Sequence, residues 1–483
     1  MTESARLLIP AIRWDSASGF AGQRPQIEKA LALGCGGYIF FGGEATAVRD
    51  LAAELRERSG FPLLIASDLE RGAGQQFAGA TGLPPLAAIG ATTEEGAVAR
   101  AARLTAREAL ALGVNWMLAP VCDLDLEKDN PIVGTRSFGS DSHKVSELVS
   151  EWVDACQAMG AMACAKHFPG HGRTAVDSHA ALPTVQASAA DLHASDLAPF
   201  VAAIESGVAS ILTAHIAFPS LDASGVPATV SRAILHDLLR KELGFEEIIV
   251  TDAMIMEGVL RGGSEEQACV NALAAGCDLV LYPVDLVAVA REVERAIARG
   301  AIDPEEARKS LARRDRWASW TATRADAPSR ADVMWSQSLA LNCVTEVRGR
   351  LHALSRQVDL LLVDDDTGGP YAPPSREPFR DALQEGELDA RWVEAPSQDG
   401  RRSLVIALFG DIRSWKGRAG YSSASISAVA RALERDADAI VMQFSHPRLA
   451  AQLPASARHV VSAWGGERVM QEAAGHWLSA RTF

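Results

Sequence analysis

Within the fourteen residues from Lys166 to His179, KHFPGHGRTAVDSH, the chain carries three histidines, a lysine and an aspartate. Histidine titrates near neutrality and can carry a proton, while lysine brings a fixed charge and three donors. A lone histidine is most often a hydrogen-bonded structural residue. This many titratable groups around Pro169, Gly170 and Gly172 read instead as a rigid turn presenting donors and proton carriers together. Acidic and basic residues also follow apolar runs elsewhere: Asp68 after LLIAS, Asp123 after VNWMLAPVC, His215 within SILTAHI and Asp252 after EIIVT. These histidines with Asp252 could form a metal-dependent hydrolase site, but Lys166 would put a cation among the ligands. No CxxC occurs, and Cys164 and His167 are spaced to face opposite sides of a strand, so neither a metal nor a cofactor is expected.

Such groups work together only if the fold brings them to one place. Eight short apolar runs have the character of strands buried on both faces: LLIPAI, GYIFFGG, LLIASD, VNWMLAPVCD, AMACAKHF, SILTAHI, EIIVTDA and CDLVLY. Helical stretches lie between them, such as TEEGAVARAARLTAREALALG and SRAILHDLLRKELG, the latter ending in the glycine expected of a C-cap. This alternation predicts an α/β chain with a (β/α)8 TIM-type barrel, although an open doubly wound sheet has a similar rhythm. The polar residues favour the barrel, because Asp68, Asp123, Lys166, His167, His215 and Asp252 sit at carboxyl ends of different strands, and a barrel makes those ends converge. The expected organisation is a catalytic barrel over 1–303, a helical connector over 304–335 and a smaller C-terminal α/β layer domain over 336–483. In that last part VDLLLVD, SLVIALFG, AIVMQF and HVVSAW read as strands.

Seven stretches in order, SDLERG (67–72), DNPIVGTRSFG (129–139), KHFPGHG (166–172), DSHAALP (177–183), TAHIAFP (213–219), PATVSR (227–232) and TDAMIMEG (251–258), resemble the motifs of the family 3 glycoside hydrolases, in their β-N-acetylhexosaminidase branch. The resemblance implies that Asp252 is the nucleophile of a retaining mechanism; the plainer reading is an N-cap for the turn that follows. It implies that His179, supported by Asp177, is the acid and base. Asp68, Arg136, Lys166 and His167 are implied to bind the first sugar, with Arg136 alternatively anchoring its own loop. His215 and Glu70 are further candidates at the site, for binding or for ordering it. The implied activity is removal of a terminal β-linked N-acetylhexosamine from a carbohydrate such as a peptidoglycan fragment or a chitooligosaccharide. Phosphorolysis, β-glucosidase activity and a catalytically silent carbohydrate-binding barrel are the alternatives. One departure is visible: the common DxEGG is here Asp68, Leu69, Glu70, Arg71 and Gly72, which bears on substrate breadth beyond the first sugar.

Composition narrows the partners. The chain of 483 residues has 47 Lys and Arg against 61 Asp and Glu, a net charge of -14 that opposes nucleic acid as a partner. The amino-terminal residues lack the pattern of a secretory signal, and no apolar run approaches the roughly 18 residues of a membrane helix. Seven scattered cysteines read as reduced core residues of a cytoplasmic protein. The oligomeric state is left open.

Overall fold

The structure is a computed structural model that describes residues 3–175, 182–260, 263–322, 327–351, 353–369, 373–395, 397 and 401–481. It is a mixed α/β fold whose contacts divide it into two compact units. The first comprises residues 1–81, 96–127 and 139–328; the second comprises 82–95, 128–138 and 329–483.

In the first unit every one of the eight apolar runs carries a strand. The strands are β1 (Leu8–Ile9), β2 (Ala11–Arg13), β3 (Gly37–Phe41), β4 (Leu64–Ser67), β5 (Trp116–Met117), β6 (Cys164–Phe168), β7 (Ser210–Thr213), β8 (Ile248–Val250) and β9 (Val280–Leu281). Pro10, which has no N–H to donate, separates β1 from β2 within one run. All pairing among them is parallel: β1 with β9, β2-β3-β4-β5 in one sheet and β6-β7-β8 in another. Single bridges join the sheets, Trp116 to Met162 ahead of β6 and Val250 to Leu279 ahead of β9. The Met117 N–H donates to Met162 O at 2.8 Å and the Tyr282 N–H to Ile9 O at 2.8 Å. Because the strands run the same way, their carboxyl ends lie on one side.

The connecting helices begin where a side chain can accept the first free N–H groups. Asp141 caps Ser142–Gln157, Ser264 caps Glu265–Ala275, Asp285 caps Leu286–Ala298 and Asp303 caps Pro304–Trp320. Gly37 in β3 allows an approach no other residue would permit, since a Cβ there would lie 2.1 Å from Leu64 O.

The helix Pro304–Trp320, within the segment read as a connector, is tied to this unit by buried charge. Arg314, fully buried, donates from Nε to Gly36 O at 3.1 Å and from Nη2 to Gly36 O and Pro62 O. Asp278, two residues ahead of β9, accepts from Ile249 N, Arg240 Nη2, Ser310 Oγ and Arg313 Nη1 at 2.5–2.9 Å. One carboxylate thereby joins two helices to the start of β8.

The second unit holds a six-stranded sheet of β10 (Thr345–Arg348), β11 (Gln357–Asp364), β12 (Asp389–Val393), β13 (Ser403–Phe409), β14 (Ile440–Phe444) and β15 (His459–Ser462), in the order β10-β15-β14-β13-β11-β12. Only the β10–β15 pairing is antiparallel. Alternate residues of the central strands feed two cores: Val405, Ala407 and Phe409 on one face, Leu404, Ile406 and Leu408 on the other. Helices therefore cover both faces, which is why these strands are apolar throughout. All seven cysteines are buried and free. Among the described residues no helix is long and apolar enough to cross a membrane.

Replacing Arg314 by Met keeps much of the side-chain volume but removes the buried donor that the Gly36 and Pro62 carbonyls share, leaving Gly36 O with the Leu64 N–H. The expected loss is about 2–4 kcal/mol of unfolding free energy, measured by denaturant titration, with the far-UV spectrum of the folded state unchanged.

Candidate active site

Asp68 follows β4 by one residue, Asp252 follows β8 by two, His215 follows β7 by two, and Lys166 and His167 lie in the last half of β6. Parallel pairing places these residues at the same side of the first unit.

Lys166 is 1% exposed, and its Nζ lies 2.7 Å from Asp68 Oδ1 and 2.7 Å from Glu70 Oε1. A lone ammonium buried so deeply would lose its hydration without return, and the two carboxylates offset that loss. Asp68 is more open than its partners, with a side chain 30% exposed, and reaches from the buried ammonium toward solvent. Burial pushes the thiol of Cys164, at the start of β6, up to about 12, against the lowering effect of its hydrogen bond with Ser210 and of the Lys166 charge, while the Asp68 and Asp252 charges add to the rise.

His167 is held from behind. Its Nδ1 lies 2.7 Å from Asp123 Oδ2, while Asp123 Oδ1 accepts the N–H groups of His167 at 3.2 Å and His171 at 2.6 Å. Burial raises the Asp123 pKa, but the His167 charge and these hydrogen bonds outweigh it, and the net shift is downward. Asp123 is therefore a buried, ionised acceptor. The turn beyond β6 is equally constrained: a Cβ on Gly172 would lie 1.9 Å from Leu124 O, so the chain can cross there only as glycine. The peptide bonds Lys166–His167 and Phe168–Pro169 are cis.

Asp252 is half-buried, and its Oδ1 accepts the N–H of Ala253 at 2.7 Å. The next helix begins only at Glu257, so Asp252 is not its N-cap. His215 lies behind it, with Nδ1 2.7 Å from Thr229 Oγ1 and Nε2 3.2 Å from Ala253 O. Both ring nitrogens have protein partners, an arrangement that suits ordering the Asp252 loop better than contacting a sugar.

Arg136 lies on the short turn Gly134–Arg136, in a segment grouped with the second unit, and donates to Ile132 O at 3.3 Å. Asp177 and His179 lie outside the described residues. No group of three or more His, Cys, Asp or Glu is arranged to hold a metal among the described residues. Asp123 and Thr229 are the participants the sequence does not single out for a role. Asp123 has the right position after an apolar run, but nothing in the sequence pairs it with His167. Thr229 lies in PATVSR, where its partner fourteen residues away is invisible.

The profile described as "Glycosyl hydrolase family 3 N terminal domain" matches residues 40–315, more than half of the chain. The chain belongs to glycoside hydrolase family 3. As a member of family 3 it is an enzyme of the glycoside hydrolase class. A "Beta-N-acetylglucosaminidase/beta-glucosidase" of Cellulomonas fimi is 36% identical over 268 residues, 54% of this chain and 48% of that protein. The chain thus spans about half the length of that relative. A "Beta-hexosaminidase" of Idiomarina loihiensis is 34% identical over 267 residues, 54% of this chain and 79% of the relative. Among solved structures, a glycoside hydrolase family 3 beta-N-acetylglucosaminidase from Paenibacillus sp. str. FPU-7 superposes with a TM-score of 0.86 at 25% identity, covering 100% of this chain and 96% of that one.

Two outcomes are expected from the geometry. Lys166→Met removes the buried cation that Asp68 and Glu70 share, and unfolding titrations should show a loss of about 3–5 kcal/mol near neutral pH. Asp123 has a folded pKa below its unfolded value, so its contribution is complete above roughly pH 4 and is lost as pH falls through the folded pKa. Between pH 5 and pH 3 the stability of Asp123→Asn should therefore fall less steeply than that of the native protein.

Proposed function

We propose that the protein is a retaining exo-β-N-acetylglucosaminidase that releases terminal β-linked N-acetylhexosamine through a covalent glycosyl-aspartate intermediate. The observation that carries this reading is the buried ion group of Lys166 with Asp68 and Glu70 at the end of β6, with Asp252 two residues past the end of the parallel strand β8, in a family 3 chain. In the proposed reaction Asp252 attacks the anomeric carbon while His179 gives its proton to the departing oxygen, with Asp177 stabilising the imidazolium. A water molecule then loses its proton to His179 and attacks the same carbon from the opposite side to Asp252, restoring the carboxylate. Asp68 accepts from sugar hydroxyls, and Lys166 and His167 complete the recognition of the ring. His215 holds the Asp252 loop.

For the architecture we propose a (β/α)8 barrel over 1–303, a helical connector over 304–335 and a C-terminal α/β domain over 336–483. The barrel is supported by the order of pairing, which runs from β1 and β2 through β3, β4 and β5, across the Trp116–Met162 bridge to β6, β7 and β8, and across the Val250–Leu279 bridge to β9 and back to β1. The seven reduced, buried cysteines favour a cytoplasmic setting. There, imported peptidoglycan fragments or chitooligosaccharides are the proposed substrates.

Phosphate in place of water is the second reading, since a histidine base does not repel it as a carboxylate would.

With an aryl β-N-acetylglucosaminide, Asp252→Ala should lower kcat by at least about 10⁴-fold, and the native protein should release the β-anomer first, as read by proton NMR. Unchanged turnover in Asp252→Ala would sink the assignment. Accumulation of a glycosyl phosphate in phosphate buffer would replace hydrolysis by phosphorolysis.

A further inference from the structure

His167 is 7% exposed, yet only one of its ring nitrogens has a partner among the described residues. Nδ1 faces Asp123 Oδ2 at 2.7 Å, and Nε2 takes no hydrogen bond from any described residue. The carboxylate behind the ring has no exposed side-chain surface and is fixed on its other oxygen by the two N–H groups of His167 and His171. An ionised carboxylate can only accept, so the nitrogen it faces must carry a hydrogen. That requirement holds whether the ring is neutral or charged.

We propose that Asp123 is a positioning residue for sugar binding, which fixes His167 with the hydrogen on Nδ1 and commits Nε2 to a hydroxyl of the substrate. The assignment rests on the sugar-binding role of His167 in the proposed function and adds how its ring is set. Asp123 has no surface through which to touch a substrate, and acts through the imidazole. The logic is that of any buried acid that selects a histidine tautomer: the partner on one nitrogen decides what the other can offer. A neutral ring then presents a lone pair at Nε2, and a charged ring presents an N–H. The backbone N–H bonds to Oδ1 keep the acid from rotating away, so the selection is built into the end of β6.

The isosteric change Asp123→Asn isolates this effect. Its amide oxygen can still accept the His167 and His171 N–H groups, while its NH₂ faces Nδ1 and drives the ring hydrogen to Nε2. In the full-length protein with ¹⁵N-labelled histidine, and with His167→Gln to assign the signal, native His167 should show a protonated Nδ1. Asp123→Asn should show an unprotonated Nδ1 above the pH at which the ring is neutral. A native ring protonated only at Nε2 would falsify the proposal directly, whatever the enzyme's activity.

Kinetics supply the second arm. On an aryl β-N-acetylglucosaminide, Asp123→Asn should lower kcat/KM about 100- to 1000-fold while the thermal transition stays cooperative. The same substitution in a His167→Ala background should cost no more than a further factor of about two, because its effect passes through the ring. If the two penalties multiply, Asp123 acts independently as an anchor and the proposal is overturned. A native protein that shows the Nδ1 proton but does not turn over N-acetylglucosaminides overturns the proposed activity and the sugar-binding part of this assignment, and leaves the ring geometry established by the NMR arm. The two failures are therefore distinguishable.

Discussion

Lys166 carries a positive charge into a place with almost no water, and the carboxylates that keep it there come from β4's end, about a hundred residues earlier in the chain. Either side of this pairing would be costly to remove, because the buried ammonium and the two acids meet across contacts of 2.7 Å. The ion group therefore demands that β4 and β6 be held at fixed separation, with β5 and its extension between them. That demand reaches down the strands. Gly37 lets β3 close onto β4, and Asn115, just before β5, accepts from Ile65 N at 2.7 Å while donating to Leu63 O and to Thr321 Oγ1. Trp116 Nε1 donates to Ser210 Oγ, which donates on to Ala163 O. Polar bonds of this kind fix strand register where apolar packing alone would tolerate a slip.

Asp123 occupies the space this alignment creates. It stands after β5, between the strand that supplies Asp68 and the strand that supplies His167, and it uses both oxygens on the latter. The site is accordingly built in two tiers. In the proposed reading Asp68, Lys166, His167 and Asp252 meet the sugar, and Glu70, Asp123, His215 and Thr229 hold them. Asp123, His215 and Thr229 are buried more deeply than the His167 and Asp68 side chains they would serve or adjoin, as suits residues whose task is to be immobile.

Much of this was legible in the sequence because strand ends and chemistry coincide: an apolar run followed by Asp, His or Lys marks both a strand and a site. All eight runs of the first unit carry strands, and four of the second unit's six strands lie in runs apolar enough to read. The other two are edges. Thr345–Arg348 is polar and largely exposed, and Asp389–Val393 pairs on one side only, so neither has the apolar signature of a strand covered on both faces. Segments 82–95 and 128–138 belong to the second unit although they lie inside the first in sequence, and no local pattern reports such a contact. Partners within the site escaped for the same reason: that Glu70 serves Lys166, or Thr229 serves His215, is a fact of three-dimensional distance, not of spacing.

The second unit poses a different question, because its sheet has the form of a ligand-binding layer. In an open parallel sheet the natural crevice lies at the carboxyl ends of the strands where the order reverses, here between β11 and β13. That place is filled by the protein's own charges. Lys416 Nζ lies 2.6 Å from Asp366 Oδ1 and also donates to Asp411 O, Arg376 holds Asp364 and Asp366, and Arg418 holds Asp365 at 2.6 Å. Ser422 and Ser425 complete the cover of Asp365. Acids at this crevice could have served a ligand, but each is already satisfied by a cation or hydroxyl from the neighbouring loops. A ligand would have to replace several charge-assisted bonds at once, a cost of several kcal/mol before any gain. The acids at the β11–β13 crevice are thus committed to the protein's own structure, in keeping with the proposal that places the chemistry at the strand ends of the first unit.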